Sequence, residues 1–469
     1  MVLYGYPQDS VIQYRLHYCD ISERGYPMHA VVFPELAIMA PEILIPGEDI
    51  DLGRWAVIAC DQFTSEPLYW TQVELDTAGV PSCAHMILPE VYLESTSADQ
   101  LDHMISSINE SINLYLSDGT LTALPSGFVL LSRATPYHPS RKGLVLAVDL
   151  DQYDFIPGSR MKIRATEGTV LSRIPPRVRI RRDARLELPH IMLLINDPDR
   201  IVIEPAYDYL ASSGTTPLYD IDLMQGGGHV TGFFTETGSA VSRQITDALT
   251  LLLEKSVDGF LFAVGDGNHS LATAKAHWDS IRPSISSDEA VDHPARFALV
   301  EVVNIHDDGL AFEPIHRVAF GLCAEDFYAA AGTFFAGQGF HFLNEEDWNA
   351  QKEHFSVSAQ IVPVISDGRC SYLVLTEPKH TLAVSSLQNV LDHLISVRPD
   401  VRLDYIHGED AVRALSVSGN LGFLLPAISK SSFFETITAE GVFPRKTFSM
   451  GEAIEKRYYL EAKSIMPKE

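Results

Sequence analysis

The sequence predicts a mixed α/β fold, because short apolar runs of strand length alternate with longer segments of helical periodicity. Phe297–Asn304 typifies the strand-like runs, and residues 98–117 carry an apolar side chain every three or four positions. A chain of 469 residues exceeds the size at which a single hydrophobic core stops growing. We therefore expect about two to four domains or subdomains.

The composition predicts a soluble protein of the cytoplasm. A net charge of −27 argues against general affinity for nucleic acid or for anionic membranes, since both are polyanions. The five cysteines are scattered without a Cys-x-x-Cys pair, so neither a disulfide framework nor a structural zinc site is expected. The N-terminus shows no basic region followed by an apolar one. No apolar run approaches the ~18–20 residues that span a bilayer.

Apolar runs between turn signals predict the strands, and amphipathic periodicity predicts the helices. Strands are expected at 30–33, 43–45, 55–59, 128–131, 144–148, 191–195, 219–224, 260–264, 297–304, 310–318 (as an edge strand), 359–365, 371–376 and 421–425. Helices are expected at 98–117, 242–253, 271–278, 324–336 and 386–396.

The polar turn at residues 265–270 joins the predicted strand 260–264 to the helix that follows. Unpaired backbone N–H groups at a helix start favour an anion such as phosphate. Gly265 and Gly267 permit a tight backbone, while Asp266, Asn268 and His269 can bind metal, donate hydrogen bonds or move protons. A helix capped by Asn268 or Ser270, with His269 on the surface, explains the same residues.

An arginine-rich stretch at residues 160–185 is the second candidate region. Arg177, Arg179 and Arg181 alternate with apolar residues, so on a strand they would share one face that suits phosphate or carboxylate. A solvated face neutralised by nearby carboxylates accounts better for most of these arginines. Arg164 and Glu167, beside Gly168, are more typical of a site.

Three further groups are weaker candidates. Asp61 and Thr64 follow the predicted strand 55–59, where a ligand or a simple turn would use them. His229 follows three consecutive glycines, which suit either a ligand contact or a flexible hairpin. Arg317 follows His316 at a strand end, and residues 443–449 bring two cations and two hydroxyls together.

Four of these motifs together resemble the family known as domain of unknown function 1015. Residues 265–274 resemble its A-D-G-H-H-R-Y-x-x-A signature, and the accompanying motifs occur in the same order at 164–169, 309–317 and 443–447. Asn268 stands where the signature has its first His, and Ser270 where it has Arg. Either another cation compensates for that Arg, with Lys275, Arg164 and Arg317 as the candidates, or phosphate chemistry is weakened.

The signature in turn resembles the phosphate-binding strand–turn–helix of the ParB/sulfiredoxin superfamily. The resemblance implies a ParB/sulfiredoxin-like nucleotide-binding core with mixed sheets and an additional C-terminal α/β subdomain. We expect a main region at 1–320 and a C-terminal subdomain at 321–469. Some members of the superfamily are ATP- or ADP-dependent kinases of free serine, which implies Mg²⁺ together with ATP or ADP as cofactors.

The favoured hypothesis is therefore a kinase that phosphorylates the hydroxyl of free L-serine or a similar small polar metabolite. In it Asp266 binds the metal or the hydroxyl, His269 contacts the transferred phosphate, and Glu167 is the base. The residues assigned to the nucleotide phosphates are Gly265, Gly267, Asn268, Ser270, Arg164, Thr166 and Arg317. The residues assigned to the acceptor substrate are Asp61, Thr64 and His229.

Two alternatives remain open. One is a nucleotide-binding regulatory protein without catalysis, and the absent signature Arg favours it. The other is a metal-assisted hydrolase that uses Asp266, His269 and His229, although their spacing matches no recognised metal site. We expect no nucleic-acid or membrane partner, and a homodimer is compatible with the sequence.

Overall fold

A computed structural model of the chain describes residues 30–93 and 96–467. The predicted absence of a leader peptide concerns residues that lie outside these ranges. The α-helices of the described ranges are α1 Leu52–Trp55, α2 Pro67–Thr77, α3 Ala98–Ser117, α4 Ile174–Arg182, α5 Ile203–Ser212, α6 Ala240–Lys255, α7 Asn268–Ile281, α8 Glu289–Asp292, α9 Ala324–Phe334, α10 Glu345–Gln351, α11 Ala383–Val397, α12 Glu409–Leu415 and α13 Phe433–Glu440.

The strands, with short 3₁₀ turns between several of them, complete the fold. They are β1 Val31–Phe33, β2 Ile38–Ala40, β3 Glu42–Pro46, β4 Leu121–Ala134, β5 Arg141–Asp149, β6 Tyr153–Asp154, β7 Ile163–Arg164, β8 Leu186–Glu187, β9 Met192–Ile195, β10 Tyr219–Leu223, β11 Gly228–Glu236, β12 Phe262–Asp266, β13 Phe297–Asn304, β14 Phe312–Phe320, β15 Phe340–Asn344, β16 Gln360–Ser366, β17 Arg369–Leu375, β18 Arg402–His407, β19 Leu421–Phe423, β20 Phe448–Met450 and β21 Lys463–Ser464.

The strands form one large mixed sheet and one large antiparallel sheet, with helices between many of the strands, so the predicted mixed α/β class is confirmed. The first sheet has the order β10-β11-β4-β5-β13-β9-β12-β7-β6, with β1, β2 and β3 added at its side. The second has the order β15-β17-β16-β19-β14-β18, with β20 pairing β14. Every residue of β13 is buried, as expected for a central strand covered on both faces.

Strand directions around β12 explain how the chain builds a polar edge. β7 runs parallel to β12, so the segments that follow both strands leave the sheet at one edge. β9 runs antiparallel to β12, so the residues just before β9 start at that same edge. Residues 165–170, 266–270 and 190 are thereby brought together, although Thr166 and Asn268 lie 102 positions apart and His190 and Ser270 lie 80 positions apart in sequence.

An apolar cluster joins the two sheets. Phe312 and Phe448, on paired strands of the second sheet, pack with Phe433 and Phe443. The same cluster includes Met192 and Leu194 of the first sheet. The division at residue 320 remains a prediction. After the second sheet the chain returns to the first, where Ala462 pairs Leu44 of β3, and β21 pairs β8 in a separate two-stranded sheet.

The predicted strand containing the alternating arginines is wrong. Residues 174–182 form helix α4, because Pro175 and Pro176 occupy its first positions, where a missing N–H costs no hydrogen bond. The three arginines therefore point in different directions. Arg177 pairs with Glu90, Arg179 with Asp102 and Arg181 with Glu187.

Two other predictions also differ from the structure. The predicted edge strand 310–318 is instead the interior strand β14, which pairs with β18, β19 and β20. The predicted strand 55–59 is buried, but it consists of the end of α1 and an extended segment with one isolated bridge, Ile58 to Tyr458. An apolar run shows burial more reliably than it shows the type of element.

Candidate functional site

The polar turn lies at the end of β12 and the start of α7. Gly267 is the residue before the helix, and its φ of +80° is a conformation that glycine adopts without strain. Its N–H donates to Asp266 Oδ1 at 3.0 Å. The next residues, Asn268, His269 and Ser270, carry the backbone N–H groups that face away from the helix. The turn thus has the geometry of an anion-binding helix start.

Gly265 has a packing role. It lies in a β-bulge between Val264 and Asp266, and a Cβ there would come within 2.7 Å of Met450 Sδ. Glycine at this position lets Met450, where the two sheets meet, pack against the strand. Its role in the structure is this packing, rather than direct contact with a ligand.

Asp266 is held by a residue that the sequence did not suggest. Lys456 Nζ lies 3.1 Å from Asp266 Oδ2, and both side chains are largely buried. Lys456 comes from the segment 452–465, which returns to the first sheet after the second one is complete. The run Lys-Arg-Tyr-Tyr at 456–459, polar and aromatic together, is the signal that could have identified this segment.

Asn268 and Thr166 tie the segment after β7 to the helix start. The backbone N–H of Thr166 donates to Asn268 Oδ1 at 3.3 Å, and Asn268 Nδ2 donates to Thr166 Oγ1 at 3.3 Å. The Thr166 hydroxyl in turn donates to the carbonyl of Val264 at 2.6 Å. Both side chains are buried, so they position the neighbouring Glu167 and leave little capacity for a ligand.

Glu167 is a half-buried carboxyl with a raised pKa of about 7. Burial is the main cause, and the negative charge of Asp266 raises the pKa further. The backbone N–H of Lys446 and the charges of Arg317 and Lys446 act in the opposite direction. The two carboxyl groups of the sequence hypothesis therefore lie near one another, together with cations of the 443–449 segment.

His269 is neutral and surrounded by cations. Val170 N–H donates to its Nε2 at 3.2 Å, so the ring proton is on Nδ1. Burial lowers the pKa of His269 to about 4, and the positive charges of Arg173, Arg177 and Arg445 lower it further. We call Arg173, Arg177, Arg445 and Lys446 the cationic rim.

The cations that the sequence offered as substitutes for the signature Arg have other partners. Arg164 donates to the carbonyls of Met161 and Asp258 and stacks on Phe260. Lys275 pairs with Asp279 at 2.6 Å. The cationic rim also places positive charge near His269 and Glu167, with Arg177 of the rim paired to Glu90.

Arg317 is fully buried beside Glu167. Its guanidinium donates to Gln388 Oε1 and to the carbonyls of Ile315 and Arg445, and it stacks on Tyr405. Burial lowers its pKa to about 10, while the negative charge of Glu167 is among the effects that raise it. Arg317 anchors the 443–449 segment against β14 and adds positive charge behind Glu167.

Ser270, which stands where the signature has Arg, contacts a histidine. Its Oγ lies 2.6 Å from His190 Nε2, and His190 Nδ1 lies 2.8 Å from the hydroxyl of Tyr459. His190 was only weakly recognisable as a site residue in the sequence, as a polar residue between Pro189 and the apolar run of β9. Nothing adjacent in sequence indicated Tyr459.

The three residues assigned to the acceptor substrate separate in space. Asp61 lies near His269, and its negative charge raises the pKa of that imidazole. Thr64 is exposed in the same loop. His229 lies on β11, five strands from β12, where its ring nitrogens are 2.8 Å from Asp220 and Asp222. Placing His229 at the site is wrong, and the hydrolase that needed it with Asp266 and His269 has no geometric basis.

The glycines before His229 close a hairpin. A Cβ on Gly227 would lie 2.4 Å from the Tyr458 hydroxyl, and one on Gly228 would lie 2.1 Å from the Ala134 carbonyl. Because these glycines have no side chain, Tyr458 and the backbone at Ala134 can approach them closely within the chain.

The donor set does not form a resident metal site. Among residues 30–93 and 96–467 there is no group of three or more His, Cys, Asp or Glu side chains that could hold an ion. Asp266, the metal ligand of the sequence hypothesis, is paired with Lys456. In the same ranges, no helix is both long and apolar enough to cross a membrane.

Residues 44–394 match a protein family described as Protein of unknown function (DUF1015). The chain belongs to this family. The match covers three of the four motifs given above, and the segment 443–447 lies beyond it. None of the curated proteins compared with the chain matches it.

A comparison with solved structures finds several that are distantly similar to this DUF1015 protein. A conserved hypothetical protein from Pyrococcus furiosus is 11% identical with a TM-score of 0.34, covering 69% of this chain and 95% of its own. A free serine kinase in complex with AMP is 10% identical with a TM-score of 0.36, covering 68% and 92%. SbnI from Staphylococcus aureus, with a C-terminal truncation, is 11% identical with a TM-score of 0.32, covering 66% and 82%. At these values no residue role or activity is transferred.

Proposed function

We propose that this protein is a small-molecule kinase. It transfers a phosphoryl group from ATP or ADP to the hydroxyl of free L-serine or a similar small polar metabolite. The observation that carries the proposal is Glu167, a carboxyl with a pKa near 7 that lies beside Asp266 and the cationic rim at the start of α7. The sequence resemblance to nucleotide-dependent kinases gives the substrate class.

The start of α7 and the cationic rim support phosphate binding. Backbone N–H groups of a helix start and guanidinium groups both stabilise phosphate oxygens. Four cations around one turn contrast with the net charge of −27 carried by the whole chain. A negatively charged ligand at the turn would offset the positive charge of Arg173, Arg177 and Arg445, which adds to the effect of burial in lowering the pKa of His269.

Glu167 is the proposed base. Its carboxylate takes the proton of the acceptor hydroxyl while the hydroxyl oxygen attacks the terminal phosphorus, and the shortened nucleotide leaves with the electron pair of the broken P–O bond. A base works best when its pKa lies near the operating pH, and the value of about 7 meets that condition. Neutral His269 donates through Nδ1–H, and the cationic rim stabilises the charge on the transferred group.

Mg²⁺ belongs to the proposal as an ion that arrives with the nucleotide. Kinases hold it with one or two carboxylates plus phosphate oxygens, and Asp266 is the candidate carboxylate. Since Lys456 neutralises Asp266, we assign no step to the ion. The partners that the proposal needs are the nucleotide and the small metabolite, in the cytoplasm; it requires neither nucleic acid nor a homodimer.

Turnover with and without Glu167 tests the proposal. The protein is incubated with ATP or ADP, Mg²⁺ and L-serine, and phosphoserine is measured by mass spectrometry. Glu167→Gln keeps the size of the side chain and removes the base, so we expect phosphoserine formation to fall by about 10²–10⁴-fold. Glu254→Gln, on an exposed position of α6, is the matched control and should act as the unmodified protein.

Thermal melting with each nucleotide distinguishes the kinase from the non-catalytic nucleotide-binding protein. Nucleotide-dependent stabilisation without phosphoserine would favour the non-catalytic regulatory protein. The hydrogen bonds that already occupy Asn268 with Thr166 support that alternative. No stabilisation by any nucleotide would contradict both functions.

A further inference from the structure

Ser270, His190 and Tyr459 form a connected chain of polar groups beside the polar turn. Ser270 Oγ lies 2.6 Å from His190 Nε2, and His190 Nδ1 lies 2.8 Å from the Tyr459 hydroxyl. The three residues come from the first turn of α7, the loop before β9 and the returning segment 452–465. The sequence hypothesis assigned Ser270 to the nucleotide phosphates, whereas His190 and Tyr459 have no role in the proposed kinase reaction.

The Tyr459 hydroxyl can set the state of the imidazole. The backbone N–H of Cys60 donates to the Tyr459 oxygen at 3.1 Å. The oxygen keeps a lone pair, which accepts from His190 Nδ1–H in one of the two ring tautomers. In that tautomer His190 Nε2 has a free lone pair, which accepts the hydroxyl proton of Ser270.

Such an order is that of a nucleophile, its base and the group that orients the base. Ser270 and His190 are both half-buried, so a small reagent can reach them. The hydroxyl also lies on the first turn of α7, close to its free backbone N–H groups and the cationic rim. A tetrahedral group with negative oxygens, such as a phosphoryl group, fits these surroundings.

We infer that Ser270 is an activated nucleophile for phosphoryl electrophiles, with His190 as its general base and Tyr459 as the positioning residue. The bond from Ser270 Oγ to phosphorus forms as the bond from phosphorus to the leaving group breaks. The leaving group departs with the electron pair, and the hydroxyl proton moves to His190 Nε2. The inference stands apart from the kinase proposal, because the reaction needs neither a nucleotide nor an acceptor metabolite.

Labelling with diisopropyl fluorophosphate tests the inference. The reagent loses fluoride and leaves a diisopropylphosphoryl group, which intact-mass measurement and peptide mapping locate. We expect the adduct on Ser270 of the unmodified protein. His190→Gln keeps a hydrogen-bonding partner for Ser270 but cannot take its proton, so labelling should slow by about 10²-fold or more. In Tyr459→Phe the pH midpoint of the labelling rate should move, which loss of packing alone would not cause.

Ser280→Ala is the matched control. Ser280 lies on the same helix, but its hydroxyl donates to the carbonyl of His277 at 2.7 Å and has no base. Its loss should leave the rate of labelling unchanged. The unmodified protein decides the matter even if a variant fails to fold: the inference is overturned if Ser270 carries no adduct, or if folded His190→Gln labels at the unmodified rate.

Discussion

Glu167 shows how strongly a single residue depends on its surroundings. Its side chain leaves a strand end and meets Asp266, a buried guanidinium and a backbone N–H within one small region. Burial and the neighbouring carboxylate oppose ionisation, and they outweigh the cations because the pKa rises from 4.5 to about 7.

A raised pKa fixes the direction of two pH effects. The folded protein keeps the Glu167 proton up to about pH 7, whereas the unfolded chain loses it near 4.5. Stability from this group is therefore lost as the pH rises through that window. We expect Glu167→Gln to be more stable than the unmodified protein at pH 8, by about 1 kcal/mol or more, with no difference near pH 4. Urea denaturation at both pH values measures this, and an equal difference at both would contradict the assigned pKa.

The reaction rate should change in the opposite direction. Only ionised Glu167 accepts the proton of the substrate hydroxyl, so phosphoserine formation should rise with pH and level off above about pH 7. A rate that is flat between pH 5.5 and 8.5 would remove Glu167 from the role of base, whatever the total activity.

At the scale of elements, the junction of β12 and α7 depends on Gly267. Its φ of +80° strains any other residue, and an added Cβ would lie 3.1 Å from the Cα of Ile191. Gly238 has a φ of +85° but open space around its Cβ position. Gly267→Ala and Gly238→Ala therefore share the backbone strain of about 1–2 kcal/mol, and only the first adds the contact.

We expect Gly267→Ala to lose more free energy of unfolding than Gly238→Ala, measured by urea denaturation. The alanine should also weaken nucleotide-dependent thermal stabilisation, since it disturbs the helix start. Equal losses for the two variants would mean that Ile191 moves away freely.

An element could be predicted from the sequence when the residues that determine its structure lie close together in the chain. Helix α3 is confirmed over 98–117, because its apolar stripe and its capping residues Ser97 and Gln100 all lie within one segment. Helix α7 begins at Asn268, three residues before the predicted start, since the polar turn itself is its first turn. Helix α4 was missed because alternation of arginine with apolar residues was given more weight than two prolines.

The candidate site was only half visible in the sequence for the same reason. The turn at 265–270 and the 164–169 motif could be found, since each is a compact group of polar residues around glycine. His190, Lys456 and Tyr459 are single residues in separate segments, and only the pairing of β9, β12 and the returning segment brings them to the turn. Periodicity carries no information about such pairings.

At the scale of the whole molecule, Arg457 fastens the returning segment to the centre of the first sheet. Its guanidinium bonds Glu301 of β13 and also Glu461, and all three side chains are buried. Both carboxylates raise the pKa of Arg457, which keeps it charged in spite of burial. Removing the Arg457 guanidinium leaves the carboxylates of Glu301 and Glu461 as two buried negative charges.

Arg457→Met should therefore lower the free energy of unfolding by about 3–5 kcal/mol, as measured by urea denaturation. Arg398→Met is the control. Arg398 also bonds two carboxylates, Asp326 and Asp400, but in an exposed network that solvent screens, so its loss should cost much less than the loss of Arg457. Equal losses would show that the segment is not held through its buried charges.

The returning segment has a consequence for the order of events during synthesis. Asp266 leaves the ribosome well before Lys456, and the 190 residues between them take roughly 10–40 s to add at ordinary elongation rates. During that interval the polar turn has neither its ammonium partner nor the tyrosine that orients His190. The nascent chain can pair the strands up to β19 and still lack both of these contacts at the turn.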